Sequence, residues 1–75
     1  MIVHLRLDRC EGPSRSFTVQ RRNTWLPPAR YREVLQANDS YLVWRDYILD
    51  RHASADRGVI VYRQIDPRPM QDASL

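Results

Sequence analysis

The chain has 75 residues, of which 43% are hydrophobic and 28% are charged, and its formal net charge is +3. These are values of an ordinary globular protein rather than of a disordered chain. Its length suffices for one domain. Because so short a chain has little room for a core, a deep pocket and a catalytic shell together, we expect no enzymatic activity.

The lack of a recognisable targeting signal and the cysteine content both predict an intracellular protein. The longest apolar run, residues 41–44 (Tyr-Leu-Val-Trp), is far shorter than the about 18 residues of a membrane-spanning helix. Residues 1–6 lack the long apolar region of a signal peptide. Cys10 is the single cysteine, which excludes an internal disulfide and suits a reducing compartment. We therefore predict a cytoplasmic protein without membrane contact.

Two segments near the N-terminus alternate between apolar and polar residues. In residues 2–9 and in residues 16–21 every second residue is apolar, and Phe17 and Val19 are the apolar residues of the second segment. A period of two predicts half-buried strands. The turn residues at 10–14 would join these strands into an antiparallel β-hairpin.

The middle of the chain favours two helices. The first would begin at Pro27 or Pro28, where a missing N–H is tolerated, and end near residue 37. Its apolar residues have the i, i+3, i+4 spacing of a helix stripe: Tyr31, Val34 and Leu35. The second would cover residues 41–52, after a stop and N-cap at residues 38–40. Two alternatives stay open, a single bent helix and a strand at residues 41–52.

The end of the chain completes the predicted fold. Residues 59–65 form a β-branched run that favours a final strand, and the proline-containing residues 66–69 end it. The predicted fold class is α+β, in the order ββα(α)β, with helices on one face of a three-stranded, mainly antiparallel sheet. We assign residues 1–66 to one domain and residues 67–75 to a flexible tail.

No motif predicts a catalytic residue, a metal ion or a cofactor. The metal candidates His4, Cys10 and His52 lack the spacing of a His-x-x-x-His or Cys-x-x-Cys pair. Gly12 and Gly58 stand alone, so a glycine-rich phosphate loop is excluded. We therefore predict that the protein acts without a cofactor and without a catalytic side chain.

All twelve basic residues are arginines. GC-rich coding explains this, and so does a surface suited to planar contacts with phosphates or carboxylates. The densest cluster has four members: Arg21, Arg22, Arg30 and Arg32. The aromatic residues Trp25 and Tyr31 lie among them, and arginine with aromatic residues is typical both of single-strand nucleic-acid binding and of protein hot spots. A solubilising cluster above core aromatics explains the same pattern.

If residues 41–49 form a helix, its apolar residues cover more of the helix surface than one sheet can bury. A second apolar face on that helix would receive a partner or a second copy of the chain. We predict partner contacts at four residues of this region: Val43, Arg45, Tyr47 and Arg51.

In size and composition the chain resembles the small single-domain accessory proteins of phages and mobile elements. The favoured hypothesis is a non-enzymatic protein-binding module that inhibits or modulates a larger host machine, such as a nucleic-acid-processing complex. The alternative is direct binding of single-stranded or duplex nucleic acid through the four clustered arginines.

Overall fold

The computed structural model describes residues 1–72, and their fold is mostly β. In chain order its elements are β1 (Ile2–Asp8), β2 (Arg15–Gln20), β3 (Arg30–Asn38), β4 (Tyr41–Leu49), α1 (Arg51–Arg57), β5 (Ile60–Gln64) and β6 (Met70–Asp72). The predicted α+β class is therefore wrong. So is the three-stranded, mainly antiparallel sheet, because six strands form one mixed sheet.

The strand order along the sheet is β2-β1-β5-β4-β3. β1 pairs antiparallel with β2 and parallel with β5. β4 pairs antiparallel with β3 along one edge, and its other edge is shared by two strands. Residues 47–49 of that edge pair with β5, and residues 42–44 pair with β6.

The sheet curls, so its two edge strands approach each other across the core. The ring centroids of Phe17 in β2 and Tyr31 in β3 are 6.3 Å apart, although these strands are at opposite ends of the strand order. We call the concave side the inner face and the opposite side the outer face. The buried core cluster lies on the inner face: Val3, Leu5, Leu7, Tyr47 and Tyr62.

Residues 30–49, for which two helices were predicted, form a β-hairpin. β3 and β4 pair from Arg30 opposite Ile48 to Asn38 opposite Tyr41. Residues 38–40 belong to the hairpin turn instead of a helix stop, and Oδ1 of Asn38 accepts a hydrogen bond from the Ser40 N–H at 3.0 Å. Of the alternatives open for residues 41–52, the structure contains a strand, over residues 41–49.

The false helical pattern has a physical cause. The pairing register of β3 shifts between Val34 and Gln36, so Leu35 is the additional residue of a β-bulge. The apparent helix stripe of Tyr31, Val34 and Leu35 is therefore divided between two faces of a strand. β4 carries apolar residues on both faces, which gives the all-round apolar character of a buried helix.

The one helix among residues 1–72 begins where the second predicted helix was to end. Asp50 is its N-cap, and Oδ1 of Asp50 accepts a hydrogen bond from the Ala53 N–H at 3.0 Å. Gly58 follows the helix with a φ of 64°, a left-handed conformation that glycine adopts without strain. α1 packs on β5 and reverses the chain direction between β4 and β5.

The terminal strands follow the sequence pattern more closely. β1 and β2 form the antiparallel hairpin that alternation predicts, and β5 falls within the β-branched run. Met70–Asp72 pairs with β4 inside the range assigned to a tail, and residues 73–75 lie outside the described residues. The division at residue 66 stays a prediction. No helix of residues 1–72 has the length and hydropathy to cross a membrane.

Candidate functional site

One buried carboxylate on the inner face gathers three arginine side chains. Oε2 of Glu33 accepts hydrogen bonds from Nη2 of Arg9 at 3.1 Å and from Nη1 of Arg15 at 2.9 Å. Oε1 accepts a hydrogen bond from the Tyr47 hydroxyl at 2.8 Å, and Nη1 of Arg45 lies 3.5 Å from it. These five residues are the Glu33 cluster.

Separate strands and one loop supply the Glu33 cluster. Alternation along β3 puts Glu33 on the inner face two residues after Tyr31, and Arg45 of β4 is its cross-strand neighbour. Arg9 follows β1 and Arg15 begins β2, so both approach Glu33 from the β1–β2 hairpin. In the described strand order β2 and β3 are not paired. The cluster links these two strands through side chains instead.

Burial and hydrogen bonding act on Glu33 in opposite directions. Burial disfavours the charged carboxylate and alone would raise its pKa, but hydrogen bonds from Tyr47, Arg15 and Arg9 outweigh it and lower the pKa below its ordinary value. Burial and the hydrogen bond to Glu33 raise the pKa of the Tyr47 hydroxyl. Glu33 is therefore ionised, and Tyr47 is protonated, at neutral pH.

The loop after β1 is fixed beside this cluster by Gln64. Oε1 of Gln64 accepts a hydrogen bond from the Cys10 N–H at 3.0 Å, and the Cys10 thiol lies 3.7 Å from the Gln64 carbonyl oxygen. Gln64 is buried and is the cross-strand neighbour of Tyr47. The backbone that carries Arg9 is thus held against the end of β5.

A second notable surface lies on the outer face of β3, β4 and β6. Val34, Trp44 and Met70 are direct cross-strand neighbours and form one apolar row. Ile48 lies four residues beyond Trp44 on the same face, and its neighbours in β3 and β5 are Arg30 and Arg63. We call this surface the Trp44 patch, and its members are Val34, Trp44, Ile48, Met70, Arg30, Arg32 and Arg63.

Most of the patch is open to solvent. The exposed fractions are 54% for Val34, 40% for Ile48 and 42% for Met70. The Trp44 ring is half-buried because the Arg32 guanidinium lies over it, 4.6 Å from the ring centroid. Asp46 accepts hydrogen bonds from Nε1 of Trp44 at 3.1 Å and from Nε of Arg32 at 3.0 Å. Trp44 is therefore held in one orientation before any partner arrives.

The four predicted partner-contact residues divide between two places. Val43, Arg45 and Tyr47 share the inner face of β4, and Arg51 is an exposed residue at the start of α1. Tyr47 is fully buried, so in the folded protein its ring is enclosed by the core. Arg45 belongs to the Glu33 cluster, where its guanidinium is half-buried.

The four predicted phosphate-contact arginines also separate. Arg21 and Arg22 follow β2, and the Arg21 guanidinium lies 5.7 Å from the centroid of the Trp25 ring. Arg30 and Arg32 project from the outer face of β3 into the Trp44 patch. The sequence cluster thus contributes to two surfaces with different aromatic neighbours.

Two cavities among the described residues are small. These cavities of about 240 and 260 Å³ share His4 in their walls, and both are below the about 300 Å³ of an ordinary small-molecule pocket. In the described part of the chain, three or more His, Cys, Asp or Glu side chains are nowhere arranged to hold a metal ion.

Sequence reasoning missed Glu33 and Trp44. They lie in the ranges of the first and the second predicted helix, and neither is among the predicted contact residues. The available signal is the alternation Tyr31-Arg32-Glu33-Val34, which places Glu33 with Tyr31 on one side of a strand. Comparisons with protein-family models, with curated proteins and with solved structures found no match.

Proposed function

We propose that the protein is a non-enzymatic binding module that docks a protein partner on the Trp44 patch. The observation that carries this proposal is the exposed apolar row of Val34, Trp44 and Met70 across three neighbouring strands. Contiguous apolar surface with polar surroundings is typical of protein–protein interaction sites.

The composition of the patch supports a protein partner. Tryptophan and arginine are the residue types that contribute most often to interface hot spots. Because Arg32 and Asp46 already fix the Trp44 ring, binding would cost little side-chain entropy at this position. The two properties together favour an interface centred on Trp44.

The charge around the patch favours an acidic partner segment. Ile48 has an arginine on each side, Arg30 in β3 and Arg63 in β5, and both are exposed. Carboxylates on a partner would pair with these guanidinium groups at the rim while apolar side chains cover Ile48 and Val34. The occupant we propose is an acidic protein segment with apolar side chains, on a larger host machine of the nucleic-acid-processing kind.

The competing function is nucleic-acid binding, and its support is the stacking of Arg21 on Trp25. Stacking of an arginine on an aromatic ring occurs in single-strand binding surfaces. Trp25, however, is partly buried and packs against the core cluster. Because Val34, Ile48 and Met70 of the Trp44 patch are exposed instead, we rank this function second.

The proposal is tested with the full chain as bait in a cell lysate, with and without nuclease treatment. The test variant is Ile48→Ser and the matched control is Leu26→Ser, which removes an exposed apolar side chain outside the patch. We expect a captured protein that the control retains and that Ile48→Ser loses, with affinity reduced by about 2 kcal/mol if Ile48 is a hot spot.

Arg30→Glu provides a second arm, because a reversed charge should weaken capture of an acidic partner. Equal capture by all variants contradicts the proposal, as does captured material that disappears with nuclease. Sedimentation of the purified chain tests for self-association. A homodimer that Ile48→Ser disrupts would show that the Trp44 patch binds a second copy of the chain, and this result would contradict an external partner.

A further inference from the structure

The Glu33 cluster has more positive charge than its internal contacts require. Three guanidinium groups, those of Arg9, Arg15 and Arg45, meet one carboxylate. Direct contacts within the cluster therefore leave a surplus of two positive charges. The surplus is concentrated at one end of the inner face, where the β1–β2 hairpin meets β3.

We propose that Arg9, Arg15 and Arg45 form a binding site for a doubly charged phosphate group. Guanidinium groups bind phosphate oxygens through paired, charge-assisted hydrogen bonds. The surplus of two positive charges equals the charge of a phosphate monoester or of inorganic phosphate in its dianionic form. Glu33 acts here as a positioning residue, because it fixes the guanidinium groups without neutralising all of them.

One buried N–H donor of the Glu33 cluster lacks a hydrogen-bond acceptor. Among the described residues, Nε of Arg9 is buried and makes no hydrogen bond. A buried N–H group without an acceptor is unfavourable, so the contacts with Glu33 leave the Arg9 guanidinium incompletely satisfied.

Access to the site is through Arg15. The Arg15 side chain is 56% exposed while it bonds to Glu33, so more than half of this side chain faces solvent. Its guanidinium carbon also lies 5.3 Å from the centroid of the Phe17 ring, which limits its orientation. An incoming phosphate would therefore meet an oriented, solvent-facing arginine first.

The acidic residue that precedes Arg9 in the chain lies outside the Glu33 cluster. Asp8 belongs to the outer side of β1, where it accepts hydrogen bonds from Arg6 and Ser14. The site is on the opposite face of β3 and β4 from the Trp44 patch. The two proposals are consequently independent, and failure of one leaves the other standing.

The test uses the full chain labelled with ¹⁵N and three probes at constant ionic strength. Inorganic phosphate and phenyl phosphate distinguish a free anion from a monoester on a small molecule, and dimethyl phosphate represents the singly charged diester of nucleic acid. At pH 8 we expect saturable shifts of the arginine Nε signals with the first two probes. Binding should weaken about tenfold at pH 5, where the monoester holds a single charge.

Variants assign the site to these side chains. Arg15→Gln should weaken phosphate binding at least about tenfold, the loss of one charge-assisted contact. Arg51→Gln is the matched control and should bind phosphate as the parent does, because Arg51 is an exposed arginine of α1 outside the Glu33 cluster and the Trp44 patch. A melting curve accompanies each variant, and the Nε shifts of the unmodified chain give a result that needs no substitution.

Four results would overturn the proposal. They are absence of saturable binding by the unmodified chain, equal binding of the diester, unchanged binding by Arg15→Gln, and an equal loss in the Arg51→Gln control. Preference for phenyl phosphate over inorganic phosphate would identify the ligand as a monoester, and the reverse preference would identify a free anion.

Discussion

The hydroxyl of Tyr47 donates a 2.8 Å hydrogen bond to Oε1 of Glu33 on the neighbouring strand. Both side chains are buried, so this bond joins an aromatic core residue to the centre of a charged cluster. Tyr47 therefore contributes its ring to the hydrophobic core and its hydroxyl to the orientation of Glu33.

Removal of this hydroxyl should destabilise the protein without changing its core volume. Tyr47→Phe keeps the ring and deletes a hydrogen bond to a charged group, which is worth about 1.5–3 kcal/mol. Chemical denaturation measures the change in the free energy of unfolding. Tyr41→Phe is the control, because the Tyr41 hydroxyl bonds to Gln71 at an exposed position. Equal effects of the two substitutions would contradict the central role of Glu33.

The lowered pKa of Glu33 predicts a loss of stability in acid. The unfolded state binds a proton near the ordinary value of 4.5, while the folded state resists protonation to lower pH. The contribution to the free energy of unfolding is complete above this ordinary value and decreases as the pH falls through the folded-state pKa. Denaturation curves at a series of acidic pH values should show this decrease.

Glu33→Gln should remove that acidic dependence and also lower stability at neutral pH. Loss of one partner from a buried ion pair costs about 3–5 kcal/mol, and the solvent exposure of Arg15 places our expectation at the lower end. Glu11→Gln in the β1–β2 loop is the control. An unchanged acid profile in Glu33→Gln would show that other groups cause the pH dependence.

The inward register of β1 predicts different costs for two substitutions in one strand. Leu5 is 4% exposed and Ile2 is 65% exposed. Leu5→Ala should cost about 2–5 kcal/mol because it leaves a cavity in the core. Ile2→Ala should change the melting temperature little. If Ile2→Ala proved the more damaging substitution, the strand would face the other way.

Salt dependence separates the protein-binding proposal from its nucleic-acid alternative. Each phosphate contact with a single strand contributes a log–log slope of about −0.7. We expect weak binding of a single-stranded oligonucleotide, with little change in Arg21→Ala plus Arg22→Ala. Tight, steeply salt-dependent binding that the double variant abolishes would favour nucleic acid, provided that the variant melts normally.

The strands near the two ends of the chain were predictable from sequence because they follow simple rules. Residues 2–9 alternate cleanly, since one face of β1 packs on the core while the other meets solvent. The run at residues 59–65 consists largely of β-branched residues that favour strands. In both places a local pattern and the tertiary structure agree.

The middle of the chain was not predictable, because there the local pattern conflicts with the fold. The bulge at Leu35 changes the phase of alternation in β3. Trp44 and Ile48 lie outward while Tyr47 lies inward, so apolar residues occupy both faces. The candidate site was missed for a related reason, because Glu33 is recognised as an inward residue only after β3 is identified as a strand.

The parallel pair of β1 with β5 has a consequence for how the chain reaches its native state. Leu5 lies opposite Ile60 in this pair, so the centre of the sheet joins opposite ends of the chain. Such distant contacts impose a high contact order and favour folding over milliseconds to seconds. During synthesis, the β1–β2 hairpin exists before its central neighbour has been made. Its unpaired edge would remain exposed to self-association throughout that interval.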